Sequence, residues 1–175
     1  GLTVIPPMKY LPLILSIAFL SAQSLAQNAD SFYNKAEIKS NTGNYQAAIV
    51  LYTRAIKADP KFTKAYYKRG FAHSMLKDYA AAVKDYSAVI SKNPKHTWSY
   101  ISRGSSYNKL KKYDLAVTDF DKALEIDPTN HEAYNNRGWA KLGLDDKKGA
   151  CKDWKKSRKM GNGEAKIILE NNHCK

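Results

Sequence analysis

The sequence has little of several features that define other protein classes. Two cysteines in 175 residues are too few for a disulfide-dense scaffold or a four-cysteine zinc site. Acidic residues are scarce, with 16 Asp and Glu against 29 Lys and Arg, which gives a net charge of +13. Long apolar runs are limited to one near the N-terminus, and this excludes a polytopic membrane protein. With 43% hydrophobic and 11% aromatic residues, the chain can still build the core of one ordinary domain.

The apolar run predicts an export signal. Lys9 precedes an apolar stretch of about a dozen residues, which is too short to cross a bilayer comfortably. Ser24 and Ala26 then place small side chains where a signal peptidase cuts. Residues 8–26 therefore resemble a bacterial secretory signal peptide, and residues 1–7 would be upstream or extraneous. We expect an exported chain, periplasmic or secreted, and an uncleaved N-terminal anchor is the alternative.

Several residue types recur along the rest of the chain with a period of 34 residues. The prolines are Pro60, Pro94 and Pro128, and the glycines are Gly70, Gly104 and Gly138, each preceded by an arginine. Small and aromatic residues keep the same period in four columns: Ala48, Ala82, Ala116 and Ala150; Tyr52, Tyr86, Phe120 and Trp154; Phe32, Tyr66, Tyr100 and Tyr134; and Tyr45, Tyr79 and Tyr113. A fixed period of this length is typical of stacked repeat proteins.

Each repeat has the pattern of two helices. In residues 63–75 the apolar side chains share one helical face, and residues 79–91 carry a wider apolar stripe. Residues 76–78 form the turn between them. Pro94 stops the second helix, because the residue before a proline is driven out of the helical region. No strand-like alternation occurs, so the sequence predicts an all-α fold.

These columns resemble the tetratricopeptide repeat, whose units carry an aromatic, a Gly or Ala, an Ala, a second aromatic, another Ala and a Pro in fixed order. The predicted units are residues 29–62, 63–96, 97–130 and a degenerate 131–162, followed by a C-terminal capping helix in 163–175. The resemblance implies a right-handed superhelical stack of four helix hairpins plus that helix. The fourth unit departs most from the family pattern, at Lys141, Ser157 and Asn162.

The two cysteines are predicted to form a disulfide. Arrays of this family commonly end in a capping helix, which would run back along the helix that contains Cys151. The two cysteines lie at similar distances from Gly161 and Gly163, so Cys174 would return to nearly the height of Cys151. An exported chain would oxidise such a pair. Two unpaired thiols near a frayed end are the alternative.

The sequence offers no catalytic site. The four histidines have no metal-binding spacing, and no nucleophile-elbow or P-loop pattern occurs. The Arg-Gly pairs lie inside helices and are not phosphate loops. Asp145 and Asp146 open a helix, where acids suit the positive helix end. We therefore expect no enzyme, no cofactor and no metal.

The resemblance implies a concave groove lined by the first helix of each unit. By the family pattern, the groove positions are Tyr33, Glu37, Lys64, Tyr67, Phe71, Met75, Trp98, Ile101, Ser105, Asn108, Asn135 and Trp139. Phe71, Trp98, Ile101 and Trp139 have no evident reason to be apolar in the core of the scaffold. They predict a groove for an extended peptide or a helix of a partner protein. Alternatively, the tryptophans cover neighbouring helices.

One family groove is not expected here. Grooves that hold a chaperone tail clamp its terminal carboxylate with Lys and Asn at set positions. In this sequence those positions hold Tyr33, Glu37 and Lys68.

The basic charge is concentrated in part of the chain. Residues 131–175 carry a net +5, mostly on the second helix of the fourth unit, whose outer side would be convex. This is either a solvated face or a contact for an acidic partner or an anionic envelope surface, including glycans or lipids. Nucleic acid is disfavoured because we expect export. The sequence does not indicate an oligomeric state.

Overall fold

The computed structural model describes residues 28–174, and within this range the chain forms nine α-helices and no strand. The first helix, α1, covers residues 28–41. The others are α2 (Tyr45–Ala58), α3 (Thr63–Met75), α4 (Tyr79–Lys92), α5 (Thr97–Lys109), α6 (Tyr113–Ile126), α7 (His131–Gly143), α8 (Lys147–Lys159) and α9 (Ala165–Asn171). The predicted all-α fold is confirmed.

The chain divides into two compact units, residues 1–65 and 66–175, and the boundary falls inside α3. The predicted signal segment, residues 8–26, and the upstream residues 1–7 lie outside the described residues. Among residues 28–174, no helix combines the length and the apolar character needed to span a bilayer.

One turn conformation precedes every second helix. It places a residue at positive φ at Gly43, Lys77, Lys111 and Asp145. The next residue is the N-cap, and Asn44, Asp78 and Asp146 each accept a backbone hydrogen bond from the first turn of the helix. Lys112 occupies the same place before α6 and makes no side-chain cap. The repeat therefore fixes the backbone of this turn even where the side chain is a poor match for it.

The glycine and aromatic columns pack against each other inside the second unit. A Cβ atom added at Gly104 would lie 2.9 Å from Phe120, and one added at Gly138 would lie 2.5 Å from Nε1 of Trp154. Side chains of α5, α6 and α7 form the adjoining core cluster of Tyr100, Ile101, Ala116, Phe120, Ala123, Leu124, Ala133 and Ala140. Small residues are thus needed where the large rings approach the neighbouring helix.

An arginine–aspartate pair recurs in each repeat of the second unit. Arg69 binds Asp85, Arg103 binds Asp119, and Arg137 binds Asp153, each through two hydrogen bonds of 2.7–2.9 Å. These bonds to Asp119 raise the pKa of Arg103 above its ordinary value. The buried carboxylates are therefore matched by bidentate partners at each repeat.

Two of these arginines also reach the preceding repeat. Nη1 of Arg103 donates to Oγ of Ser87 at 2.9 Å, and Nη1 of Arg137 donates to Asp121. Successive repeats are joined in this way by charged or polar bonds as well as by apolar packing.

The departures of the fourth repeat from the family pattern make their own polar contacts. Nζ of Lys141 lies 2.9 Å from Asp153, so this carboxylate has two cationic partners. The hydroxyl of Ser157 donates to the carbonyl oxygen of His131 at 2.7 Å and accepts from Nδ2 of Asn162 at 3.0 Å. The terminal repeat is therefore closed by hydrogen bonds where the inner repeats use Ala and Pro.

The C-terminal helix α9 packs on α8. Ala165 and Leu169 are buried, and Leu169 joins Ala150 and Trp154 in a small core cluster. After α9, His173 takes a positive φ of 52°, and the backbone N–H of Cys174 donates to the carbonyl oxygen of Leu169 at 3.0 Å. The predicted disulfide between Cys151 and Cys174 is present, with 5.4 Å between the Cα atoms.

Candidate partner-binding groove

Within the second unit, α3, α5 and α7 together present two adjoining depressions, which we call the groove face. The larger one, about 390 Å³, is lined by Ser105, Asn108, Lys109, Tyr113, Asn136 and Trp139. The smaller, about 290 Å³, includes Phe71, Met75 and Ile101 and shares Ser105 and Lys109 with the first. The shared residues make the two depressions neighbours on one surface.

Most of the large apolar side chains predicted to line a groove are exposed. Phe71, Met75, Trp98 and Trp139 are 43–48% exposed. Exposed aromatic and apolar side chains grouped on one face commonly mark an interaction surface. The groove face therefore has the composition of a binding site, together with the polar groups described below.

Ile101 does not fit the argument that selected it. Its side chain is only 1% exposed and belongs to the core cluster with Phe120 and Ala133. The expectation that Ile101 has no role in the core is wrong, because α6 and α7 both pack against α5 at this level. Ile101 forms the floor beneath the smaller depression rather than an accessible contact.

Trp139 has a second role besides its exposed edge. Its ring lies 4.9 Å from that of Trp154 in an edge-on arrangement. The alternative drawn from the sequence, that a tryptophan covers a neighbouring helix, thus applies in part to Trp139.

A short polar network runs between α5 and α7 on the groove face. Nδ2 of Asn136 donates to Oγ of Ser105 at 3.3 Å, and Nδ2 of Asn108 donates to the carbonyl oxygen of Asn136 at 3.0 Å. The Oδ1 atoms of Asn108 and Asn135 are buried and have no hydrogen-bond partner among the described residues. These amides place backbone-like donors and acceptors beside the apolar side chains.

Sequence reasoning missed several residues that line the depressions. Lys109 lies 34 residues after Met75, so the spacing that selected Met75 could also have selected Lys109. Tyr79 and Tyr113 begin the second helices and still reach this face, because the turn before them is tight. Glu132 and Asn136 complete the lining, and no sequence signal used above pointed to them.

Tyr67 and Tyr86 lie beside the smaller depression. The Tyr67 ring packs against Tyr86 at 5.6 Å and against His96 at 5.2 Å, and its hydroxyl lies 3.4 Å from Oγ of Ser102. Burial raises the pKa of Tyr86 to about 12. Both rings are therefore structural supports of the face, and Tyr67 has less freedom to contact a partner than its groove position implies.

Three predicted groove residues belong to the first unit. The ring of Tyr33 packs against Phe62 at 5.0 Å and Tyr52 at 5.8 Å. Glu37 accepts a hydrogen bond from the Tyr52 hydroxyl, and burial together with this bond raises the pKa of Tyr52. Lys64 is exposed. Tyr33 and Glu37 are thus tied into the first unit by local contacts.

Metal chemistry has no support from the described part of the chain. Across residues 28–174, no group of three or more His, Cys, Asp or Glu side chains is placed to hold a metal ion.

Known structures similar to this chain are repeat proteins. The crystal structure of MamA shares 24% identity with a TM-score of 0.74, covering 79% of this chain and 81% of that one. The first TPR of Spaghetti (RPAP3), bound to the HSP90 peptide SRMEEVD, shares 30% identity with a TM-score of 0.66, covering 69% and 95%. A thermophilic TPR protein of Thermus thermophilus shares 17% identity with a TM-score of 0.68, covering 83% and 81%.

Sequence comparison gives a family assignment. No curated protein matches the chain significantly. Models of the tetratricopeptide repeat match residues 63–96, 97–130 and 120–158, and a further TPR repeat model matches residues 38–77. These matches cover most of the described residues and follow the helix pairs seen in the structure. The chain therefore belongs to the tetratricopeptide repeat family.

Proposed function

We propose that this protein is a non-catalytic adaptor that binds an extended peptide or a helix of a partner protein on the groove face. The observation that carries the proposal is the group of exposed apolar side chains beside an amide network. Phe71, Met75 and Trp98 expose nearly half of their surface although the scaffold has a well-filled core of its own. Such side chains lower solubility unless a partner covers them.

The face offers distinct contacts for the parts of a polypeptide. Apolar side chains of the partner would fill the depression beside Phe71 and Met75, where burial of an anchor is worth about 2 kcal/mol or more. The amides of Asn108 and Asn136 suit the partner backbone. Lys109, which lies between the two depressions, would attract a carboxylate of the partner.

The peptide complex of the RPAP3 domain supports a peptide as the ligand class. That domain was solved with an HSP90 peptide and shares 30% identity with this chain. Tyr33, Glu37 and Lys68 occupy the positions at which chaperone-tail grooves clamp a terminal carboxylate. We therefore propose recognition led by apolar anchors rather than by a terminal carboxylate.

A comparative pulldown tests this function. The full chain, the Phe71→Ala/Trp98→Ala variant and a Leu115→Ala control are each immobilised, and captured proteins are quantified by mass spectrometry. Leu115 is 47% exposed but lies on α6, outside the groove face. We expect a partner that the control retains and the groove variant loses at least tenfold. Equal retention by both variants would contradict the groove.

We also propose that the protein is exported. The support is the composition of residues 8–26, and the disulfide of the second unit is consistent with an oxidising compartment. A fusion of residues 8–30 to a reporter that is active only outside the cytoplasm should be active. A reporter that stays inactive would remove this proposal.

A further inference from the structure

The exposed face of α8 is strongly cationic. Its cations are Lys147, Lys148, Lys152, Lys155, Lys156, Arg158 and Lys159, and all of them are exposed. The single carboxylate of the helix, Asp153, is buried and already contacts Arg137 at 2.7 Å and Lys141 at 2.9 Å. The acid of α8 is therefore paired with cations from α7, and the helix carries no other.

The repeat scaffold does not require this charge. At the positions equivalent to Lys148, Lys155 and Lys159, helix α6 carries Asp114, Asp121 and Glu125. Helix α4 carries Ala80, Ser87 and Ser91 there. One structural position thus accepts acidic, neutral and basic side chains in neighbouring repeats.

The cations also have a cost within α8. Lys148 and Lys152, Lys152 and Lys156, and Lys155 and Lys159 are like charges four residues apart on one helix. Each such pair destabilises a helix by about 0.2–0.5 kcal/mol. A face that repels itself and serves no scaffold need is best explained by an anionic ligand.

Two depressions lie where α8 meets the C-terminal segment. One, of about 880 Å³, is lined by Lys147, Lys148, Lys152, Lys155 and the disulfide. The other, of about 530 Å³, is lined by Lys155, Arg158, Lys166, Leu169 and Glu170. His173 and Cys174 line both depressions, so the two form one cleft, which we call the terminal cleft.

The disulfide forms part of the wall of the terminal cleft. The left-handed turn at His173 directs Cys174 back toward α8, and the bond to Cys151 holds it there. Two carboxylates also line the cleft, and one of them, Asp146, already caps α8 by accepting from the N–H of Gly149 at 2.8 Å. The cationic wall therefore faces a second wall that is fixed covalently.

We propose that the terminal cleft binds a carboxylate-rich polypeptide segment. The cations extend along a helix of about 20 Å, which matches a chain rather than a single phosphate. A concave site suits a chain better than the flat surface of a bilayer. The floor includes Leu169 and the disulfide, so it accepts apolar side chains placed between the acidic ones. This site is separate from the groove face and does not depend on it.

A charge exchange copied from the neighbouring repeat tests the proposal. The variant Lys148→Asp/Lys155→Asp/Lys159→Glu carries in α8 the acids that α6 already tolerates. The control Lys57→Asp/Lys84→Asp/Lys95→Glu makes the same change in net charge at exposed positions elsewhere. Binding of a labelled acidic peptide of about a dozen residues, Glu-rich with interspersed Leu, is measured on the full chain by fluorescence anisotropy.

The charge exchange in α8 is expected to weaken peptide binding at least tenfold, and the control less than threefold. Equal losses in the two variants would overturn the site, because the attraction would then come from net charge alone. Tighter binding of anionic vesicles or of a sulfated oligosaccharide than of the peptide would overturn the assignment to a polypeptide. Should the exchange variant not fold, Lys152→Ser/Lys156→Ser removes charge without adding acids and should weaken binding severalfold.

The wall is tested separately with Cys174→Ser. This variant keeps every cation of the cleft and releases its second wall, so we expect a severalfold weaker peptide affinity with unchanged helix content. An affinity equal to that of the oxidised wild type would overturn the part assigned to the disulfide.

Discussion

Trp139 stands edge-on to Trp154, with ring centroids 4.9 Å apart and planes at 63°. Trp154 is completely buried against Gly138, and its Nε1 donates to the carbonyl oxygen of Asn135. The exposed side of Trp139 thus belongs to the groove face while its other side contacts the core of the fourth repeat. Binding and stability are linked at this one residue.

The two groove tryptophans should differ in their effect on stability. Trp139→Ala removes the ring contact with Trp154 and should lower the free energy of unfolding by about 1–2 kcal/mol. Trp98→Ala removes a half-exposed side chain and should change it by about 0.5 kcal/mol or less. Urea unfolding followed by circular dichroism measures both. A large loss for Trp98→Ala would place Trp98 among the supporting residues of the scaffold.

Glycine in the first helices should be required most strongly in the fourth repeat. Gly138→Ala would bring a Cβ atom to 2.5 Å from Nε1 of Trp154 and disturb its bond to Asn135, whereas Gly70→Ala would meet Tyr86 at 3.0 Å. We expect Gly138→Ala to destabilise by about 1–3 kcal/mol and Gly70→Ala by less. Gly163→Ala, which meets nothing within 4 Å, is the control for thermal unfolding. Equal effects at Gly138 and Gly163 would contradict the packing argument.

Helix α6 should gain stability from a proper cap. Lys112 stands where Asn44, Asp78 and Asp146 cap the other second helices and makes no side-chain cap bond. Lys112→Asn should raise the free energy of unfolding by about 0.5–1 kcal/mol, because it satisfies a free N–H of the first turn. Lys112→Ala removes the same charge without adding a cap and should give no such increase. Thermal melts of the two variants decide the matter.

Those repeated turns also show how far the sequence could be interpreted. The period of 34 residues located the helix pairs, because Pro94 and the Tyr79 column mark their ends. It also matched the disulfide, since a C-terminal helix packed on α8 brings Cys174 back to Cys151. Helix α4 ends at Lys92, one residue beyond the predicted range, and α9 is one residue shorter at each end than the predicted stretch 164–172.

The groove was harder to predict than the fold. Periodicity assigns a residue to a face but does not say how deep its neighbours bury it, and so Ile101 was placed on the surface. The Arg–Asp pairs were half visible, since the arginine column was noted but its partners Asp85, Asp119 and Asp153 keep the same period. Recognising both columns would have predicted the pairs. The reach of Asn136 to Ser105 depends on the packing of α7 against α5 and has no sequence signal of its own.

Alkaline unfolding should depend on Tyr86. Burial raises its pKa to about 12 from an ordinary value of 10.0. A raised pKa contributes stability that is fully present below the unfolded pKa and is lost as the pH rises through the folded one. Between pH 10.0 and about 12, the wild type should therefore lose up to about 2–3 kcal/mol more than Tyr86→Phe.

The substitution in Tyr86→Phe is conservative, because Phe120 occupies the equivalent position of the next repeat. Chemical denaturation at a series of pH values measures the difference. Parallel pH profiles of the two proteins would show that Tyr86 does not titrate in this way.

The bond from each arginine to the repeat before it has a consequence for changing the length of the array. Arg137 finds Asp121 one repeat back, whereas Arg103 finds only Ser87 there. A duplicate of residues 97–130 inserted after Asn130 would place its own arginine against Asp121 and offer a second Asp121 to Arg137. Every junction created would then be an ion pair of a kind that the protein already contains. The array can therefore be lengthened in whole repeats without designing a new interface, while an insertion of any other length would misplace every arginine that follows it.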